Sequence, residues 1–386
     1  MLPLHDKVKQ LIVMTELFVE LIQIAIGKRE SLSRIPTDDE WQNLYKESRK
    51  QSVGGLAFTA LDILSKSGQK PPMALLYEWI GLSEQVRSQN ALMNKEAARL
   101  TNLFEQEGHN TAILKGQANA ILYSQPLTRQ PGDIDIWVDG GKEKVMETVR
   151  RLGLVTDEIA KYASDGDTTI SYHHIHLKKN EEGVDVEVHF RPSSGNKNPF
   201  TNKRLQQFLE DEINRENEKT PEGFRVPSVK FALVMQLAHI QRHLMTEGIG
   251  LRQVIDYYYL LKSDINNQRD EVKNRLNSFG LKHMSEALMW VLHEWLGLEK
   301  RYLIAPEDER RGKMLLQSIV DGGNFGRYYD CNQHGIGQRI LTMNKHRLKM
   351  FRFDFNEAFW IELDYITFII KTIPVRISRR RWSLAE

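Results

Sequence analysis

The sequence is short of thiols, of net charge and of long apolar runs, and each shortage excludes something. One cysteine, Cys331, stands in 386 residues. That rules out an intrachain disulfide framework and any zinc site built from several thiolates. Basic and acidic side chains nearly cancel, 53 against 51, leaving a net charge of +2. No overall field draws such a chain to nucleic acid, although local patches remain open to it. The most hydrophobic late segment, EAFWIELDYITFIIKTI, carries Glu362 and Asp364 and is too short and too charged to span a bilayer. The N-terminal stretch mixes Asp6, Lys7, Glu16 and Glu20 into its apolar pattern and reads as an amphipathic helix rather than a secretory leader. A cytoplasmic chain of unknown oligomeric state is the expectation.

What is present is ordinary globular composition, 41% hydrophobic and 27% charged, with enough length for two or three domains. Residues 1–108 read as a helical region whose last helix stops at Gly108. Residues 109–195 change texture. TAILK (111–115) and DIDIWV (133–138) are strand candidates, and KEKVMETVRRLG (142–153) has Val145, Met146, Val149 and Leu152 on one helical face. TISYHHIHLKK and VDVEVHF flank NEEG, whose Asn180 and Gly183 suit a hairpin turn. Residues 196–386 return to helical spacing. The expected class is α+β, one short mixed sheet between two helical regions.

The strand DIDIWV poses the chemical question. Side chains alternate along a strand, so Asp133 and Asp135 point to one side. Asp185, Glu187 and His189 likewise share a face of VDVEVHF. If these strands are neighbours, three carboxylates converge, and like charges packed together need a cation. Oxygen donors suit Mg²⁺. Two such ions roughly 3.5–4 Å apart can hold the attacking and leaving oxygens of a phosphoryl or nucleotidyl transfer. Lys115, Gly116 and Gln117 form a strand–glycine–helix junction whose backbone N–H groups can cradle phosphate, with the helix dipole assisting. Lys115 and Arg129 are placed to neutralise phosphate oxygens. Lys115 is also a charge partner for the carboxylates in the metal-free protein.

Together ILKGQANAILYSQPLTRQPGDIDIWVD and VDVEVHF resemble the uncharacterised nucleotidyltransferase family of the DNA polymerase β superfamily. The likeness rests on Lys115-Gly116, Tyr123, Arg129, Asp133, Asp135, Glu187 and His189. It extends to a Leu-Arg-x-x-x-Asp helix carrying Arg252 and Asp256, and so covers about residues 85–262. The resemblance implies a minimal polymerase-β-type core. It implies that Asp133 and Asp135 bind two Mg²⁺ ions, and that Glu187 binds one and helps deprotonate an acceptor hydroxyl. Asp185, His189, Arg252 and Asp256 would be auxiliary. The superfamily usually has Gly-Ser at the phosphate loop; Gly116-Gln117 lacks that hydroxyl.

Other features carry less. Arg252 and Asp256 stand four apart on a helix, where an i,i+4 salt bridge is the default. His239, His243 and Glu247 share a helical face but lack the His-Glu-x-x-His order of a zincin. His173, His174 and His176 suit a solvated hairpin. GIGLRQ lacks a dinucleotide fingerprint, CNQH (331–334) is too little for a metal site, and the basic tail RISRRRWSLAE suits a solvated terminus. The resulting expectation is a Mg²⁺-dependent enzyme moving a nucleoside monophosphate from a nucleoside triphosphate to an unknown hydroxyl or phosphate. A small molecule or protein is favoured over nucleic acid as acceptor. The alternative is a catalytically silent nucleotide-binding or adaptor module of the same fold.

Overall fold

A computed structural model of the protein describes residues 16–155, 173–178, 183–264, 267–324 and 336–382. Four strands form the central sheet in the order β1-β2-β4-β3: β1 (Thr111–Ile113), β2 (Ile134–Val138), β3 (His174–His176) and β4 (Val186–His189). β1 runs antiparallel to β2, β2 parallel to β4, and β3 antiparallel to β4. The parallel pair requires a crossover, and the helix Gly141–Arg151 lies within it. A fold mixing α and β elements around a short mixed sheet is what the strand pattern predicts.

Period-two alternation gives the sheet two unlike faces. Ile113, Ile134, Ile136, Val138, Ile175, Val186 and Val188 share a core with Met93, Ala97, Leu100 and Phe104 of the helix Met73–Gln106, and with Val145, Met146 and Val149. Asp135, Glu187, His189, His174 and His176 occupy the other face, because Cα partners across the ladders place them side by side. The helix Val229–Thr246 lies over this face: Met235, His239, Arg242 and His243 line one cavity with Asp133, Asp135 and Glu187.

A second core joins what the sequence divides. Trp41, Leu44, Leu56 and Leu61 from the N-terminal helices pack in one cluster with Phe231, Leu237, Val254, Tyr258 and Leu288. The 73–106 helix contributes Leu75 and Trp79 to this cluster and its later turns to the sheet core. The boundaries expected at 108 and 195 therefore separate segments that share cores. Gly108 does end the long helix, at φ +78°, and His109 N–H donates to Phe104 O at 3.0 Å. No helix among the described residues is long and apolar enough to cross a membrane. The basic tail continues a helix, Phe355–Trp382. CNQH and most of the NEEG turn lie outside the described residues.

A buried clamp ties the loop before β2 to the helix Leu251–Ser263. Arg129 donates from Nε and one terminal nitrogen to the two oxygens of Asp256, at 2.7 and 2.8 Å, and Tyr123 donates its hydroxyl to the same carboxylate at 2.7 Å. Arg252 donates to the carbonyls of Gln130 and Pro131, at 3.2 and 3.0 Å. Gly55 abuts the same loop, since a Cβ there would stand 2.5 Å from Thr128 O. Both charges of the Arg129–Asp256 pair are buried. Asp256→Asn removes one and strands the other, so unfolding in urea should show a loss of about 3–5 kcal/mol; an unchanged midpoint would refute the clamp.

Candidate active site

Three carboxylates and one ammonium define the site. Asp135 and Glu187 are direct partners across the parallel ladder. Asp133 sits one pleat earlier on the same side, just before β2. Lys115 arrives from the end of β1, which is held to β2 by Leu114 N–H donating to Asp135 O at 2.9 Å. Its Nζ lies 3.0 Å from Asp135 Oδ2 and 3.8 Å from Asp133 Oδ2. Asp135 Oδ2 is fully buried and accepts no well-aligned hydrogen bond, so the ammonium is its electrostatic partner. His189 Nε2 stands between Asp135 Oδ1 at 3.0 Å and Glu187 Oε2 at 3.3 Å.

These neighbours divide the acids electrostatically. Burial pushes the Asp135 carboxyl above the usual range despite Lys115. Burial also opposes ionisation of Glu187, but the His189 hydrogen bond and the adjacent His174 hold it well below that range. Asp133 is likewise lowered, burial being outweighed by Lys115. Burial works against the Lys115 ammonium, yet Asp135, Asp133 and Glu187 raise its pKa. Burial and neighbouring imidazoles lower His173 to about 2, and burial lowers His174 to about 4.

The strand–glycine–helix junction has the following geometry. Gly116 has φ +63°, and a Cβ there would come within 3.3 Å of Asp133 O, so glycine permits the turn out of β1. The following helix, Gln117–Ala120, is only four residues long, too short to supply the expected dipole. The buried Gln117 side chain donates to Asn90 and Asn94 of the long helix, leaving its backbone at the loop. Arg129 lines the cavity beside Asp133, but its guanidinium is bound by Asp256. Arg252 and Asp256, four apart on their helix, each anchor the loop: Arg252 on its carbonyls and Asp256 through Arg129. Lys115, Asn119, Gln236, His239 and Arg252 line the same cavity.

Other residues fall as follows. Asp185 is exposed, and its carbonyl accepts from Ile134 N–H at 2.9 Å. His174, expected on a solvated hairpin, has Nδ1 3.2 Å from Glu187 Oε2 and a side chain only 14% exposed. Its signal was parity with Glu187 and His189 across a hairpin, which needs the register to be known. The helix Val229–Thr246 is legible as a helix, but not that it covers this site. Gln236, His239 and His243, spaced three and four apart among apolar residues, form the polar stripe that marks it. The His239 and His243 rings meet edge to face with centroids 4.3 Å apart, and with Glu247 they make no three-donor group among the described residues.

The residues suit a hard divalent cation. The donor set is carboxylate oxygen, and one buried oxygen faces only an ammonium. Among solved structures, an antigenic nucleotidyltransferase-like protein from Paracoccidioides brasiliensis is similar at 10% identity and a TM-score of 0.32, over 59% of this chain and 96% of that one. No curated protein matches. The family described as uncharacterised nucleotidyltransferase matches residues 37–297, reaching past both ends of the stretch that carries the motifs. Over more than half its length, then, including helices on either side of the sheet, the chain belongs to the uncharacterised nucleotidyltransferase family.

Proposed function

We propose that the protein is a Mg²⁺-dependent nucleotidyltransferase that moves a nucleoside monophosphate from a nucleoside triphosphate to a hydroxyl or phosphate acceptor. The observation that carries this reading is the Asp135–Glu187 pairing around the Lys115 ammonium, with Asp133 on the same side. Asp133 and Asp135 would hold two Mg²⁺ ions and Glu187 one of them, and ions so held stabilise the attacking and leaving oxygens of an in-line displacement.

The chain's own groups do the rest. Lys115, released from Asp135, turns its ammonium to a phosphate oxygen, and Gly116 lets the phosphates approach the backbone. Arg252 adds positive charge beside Asp133. Glu187, kept ionised by His189 and His174, takes up the acceptor's hydroxyl proton as the new oxygen–phosphorus bond forms and pyrophosphate departs. The Arg129–Asp256–Tyr123 clamp holds Asp133 in place. Ser193, Ser194, Arg242 and His243 line a cavity of about 240 Å³ next to Glu187, a space that favours a small molecule or a protein side chain as acceptor. Nucleoside triphosphates and Mg²⁺ point to a cytoplasmic setting.

The second reading, a silent nucleotide-binding module, is favoured by one observation: Gln117 supplies no hydroxyl and turns its side chain into the long helix. Calorimetry with each of the four nucleoside triphosphates, with and without Mg²⁺, separates the two. The enzyme reading expects Mg²⁺-dependent binding that Asp133→Asn and Asp135→Asn abolish. Binding that ignores Mg²⁺ and survives both substitutions indicates the silent module, and no affinity for any nucleotide sinks both.

Lys115 yields a sharper expectation. An ammonium and a metal ion compete for Asp135 Oδ2, so Lys115→Met should tighten Mg²⁺ binding without nucleotide by roughly tenfold, or about 1.4 kcal/mol, while weakening nucleotide binding. Unchanged or weaker Mg²⁺ binding in that variant would show that Lys115 does not occupy the cation's place.

A further inference from the structure

β3 is an edge of the sheet, and its two histidines alternate with the buried Ile175. Both therefore lie on the face that carries Glu187. His176 is the direct cross-strand partner of Glu187, and His174 of His189. The two oxygens of Glu187 face different imidazoles: Oε2 lies 3.2 Å from His174 Nδ1, and Oε1 lies 3.7 Å from His176 Nε2. The three side chains bring their donor atoms within 4.8 Å of one another. Exposure is graded, with His174 at 14%, Glu187 at 16% and His176 at 60%, which leaves a path from solvent. Behind them His189 is buried, its Nε2 on Glu187 and its Nδ1 without a hydrogen-bond partner.

We propose that His174, His176 and Glu187 form a site for a divalent transition-metal ion such as Zn²⁺, distinct in donor chemistry from the carboxylate cluster with which it shares Glu187.

The donor set decides the ion. Two imidazoles and a carboxylate match borderline-soft ions, whereas Mg²⁺ prefers oxygen and surrenders its waters reluctantly. A His-x-His pair on a strand puts both rings on one face by the period of the pleat, and the neighbouring strand supplies the third ligand at the matching register. Three protein ligands leave a position for water or another donor. Sharing Glu187 couples the two sites, because an ion held at the edge strand would compete for the third carboxylate with an ion held by Asp135 and Asp133. The inference does not rest on nucleotide chemistry and is read without nucleotide.

The test uses the full chain stripped of metal, titrated with Zn²⁺ by calorimetry and with Co²⁺ by visible absorption, which reports nitrogen ligation. One equivalent should bind, and His174→Gln and His176→Gln should each weaken binding by at least about tenfold. The exposure of His176 keeps its substitution from disturbing the fold. Asp133→Asn should not weaken Zn²⁺ binding, and His293→Gln, which alters the separate group His293, Glu294 and Glu307, should leave it intact. Equal Zn²⁺ affinity in wild type and both β3 variants would overturn the proposal. So would loss of binding in Asp133→Asn with retention in the β3 variants, which would place the ion in the carboxylate cluster.

Discussion

Two acids packed side by side across a parallel ladder, Asp135 and Glu187, impose the constraint that organises the rest of this molecule. Adjacent carboxylates on a covered sheet face repel, and the interior screens them weakly. The nearest remedy is an ammonium, and the strand order delivers one. β1 lies on the outer side of β2, antiparallel to it, so its exit ends beside Asp135 and carries Lys115 there. On the far side, β4 sits between β2 and β3, so His189 and His174 reach the other flank of the acids.

Positioning those acids is work shared with distant parts of the chain. Asp133 is carried by a loop outside the ladder, which the sheet alone cannot fix. The loop is held from the helical side by Asp256, which binds Arg129 and Tyr123, and by Arg252, which binds two successive carbonyls. From the long helix, Asn90 donates to the carbonyls of Leu127 and Arg129, at 2.8 and 2.7 Å. A buried ion pair is a weak source of net stability, and its better-attested value is in fixing one arrangement. Here the arrangement fixed is the approach of Asp133 to its neighbours. That gives a physical reason for the family match to run from residue 37 to 297, well beyond the strands.

Parity made much of the site legible. Alternation alone put Asp133 with Asp135, and Glu187 with His189, on common faces, and it separated them from Ile134, Ile136 and Val188. Strand pairing and register were not written in the same way. They depend on which strands become neighbours, so His174 read as a solvated hairpin residue until β3 was set against β4. Charge partners were similarly open. Arg129 is four residues from Asp133 and reads as a phosphate ligand, yet its partner lies 127 residues away on a helix whose own i,i+4 spacing suggested a local bridge. The packing between segments was open for a related reason: helical periodicity identifies a buried face without saying which other face covers it, and here N- and C-terminal helices share one core.

Charge balance ties the remaining features together. With all three acids ionised and only Lys115 between them, the cluster holds an excess of negative charge; burial is the main cause that raises the pKa of Asp135, and the neighbouring Asp133 adds to it. The pKa of His189, which burial alone would lower, is raised by Asp135 and Glu187. A divalent cation would supply more positive charge than the ammonium it displaced, so on the proposed function its entry would relieve the excess and free Lys115. A freed ammonium in a covered cleft then needs an anion of its own, and Arg252 already faces the same cavity. On the proposed function, two divalent ions at three carboxylates would leave a surplus of positive charge, to which Lys115 and Arg252 would add, and a phosphate chain would offset it. On that reading, cooperative entry of cation and nucleotide would follow from the placement of one lysine.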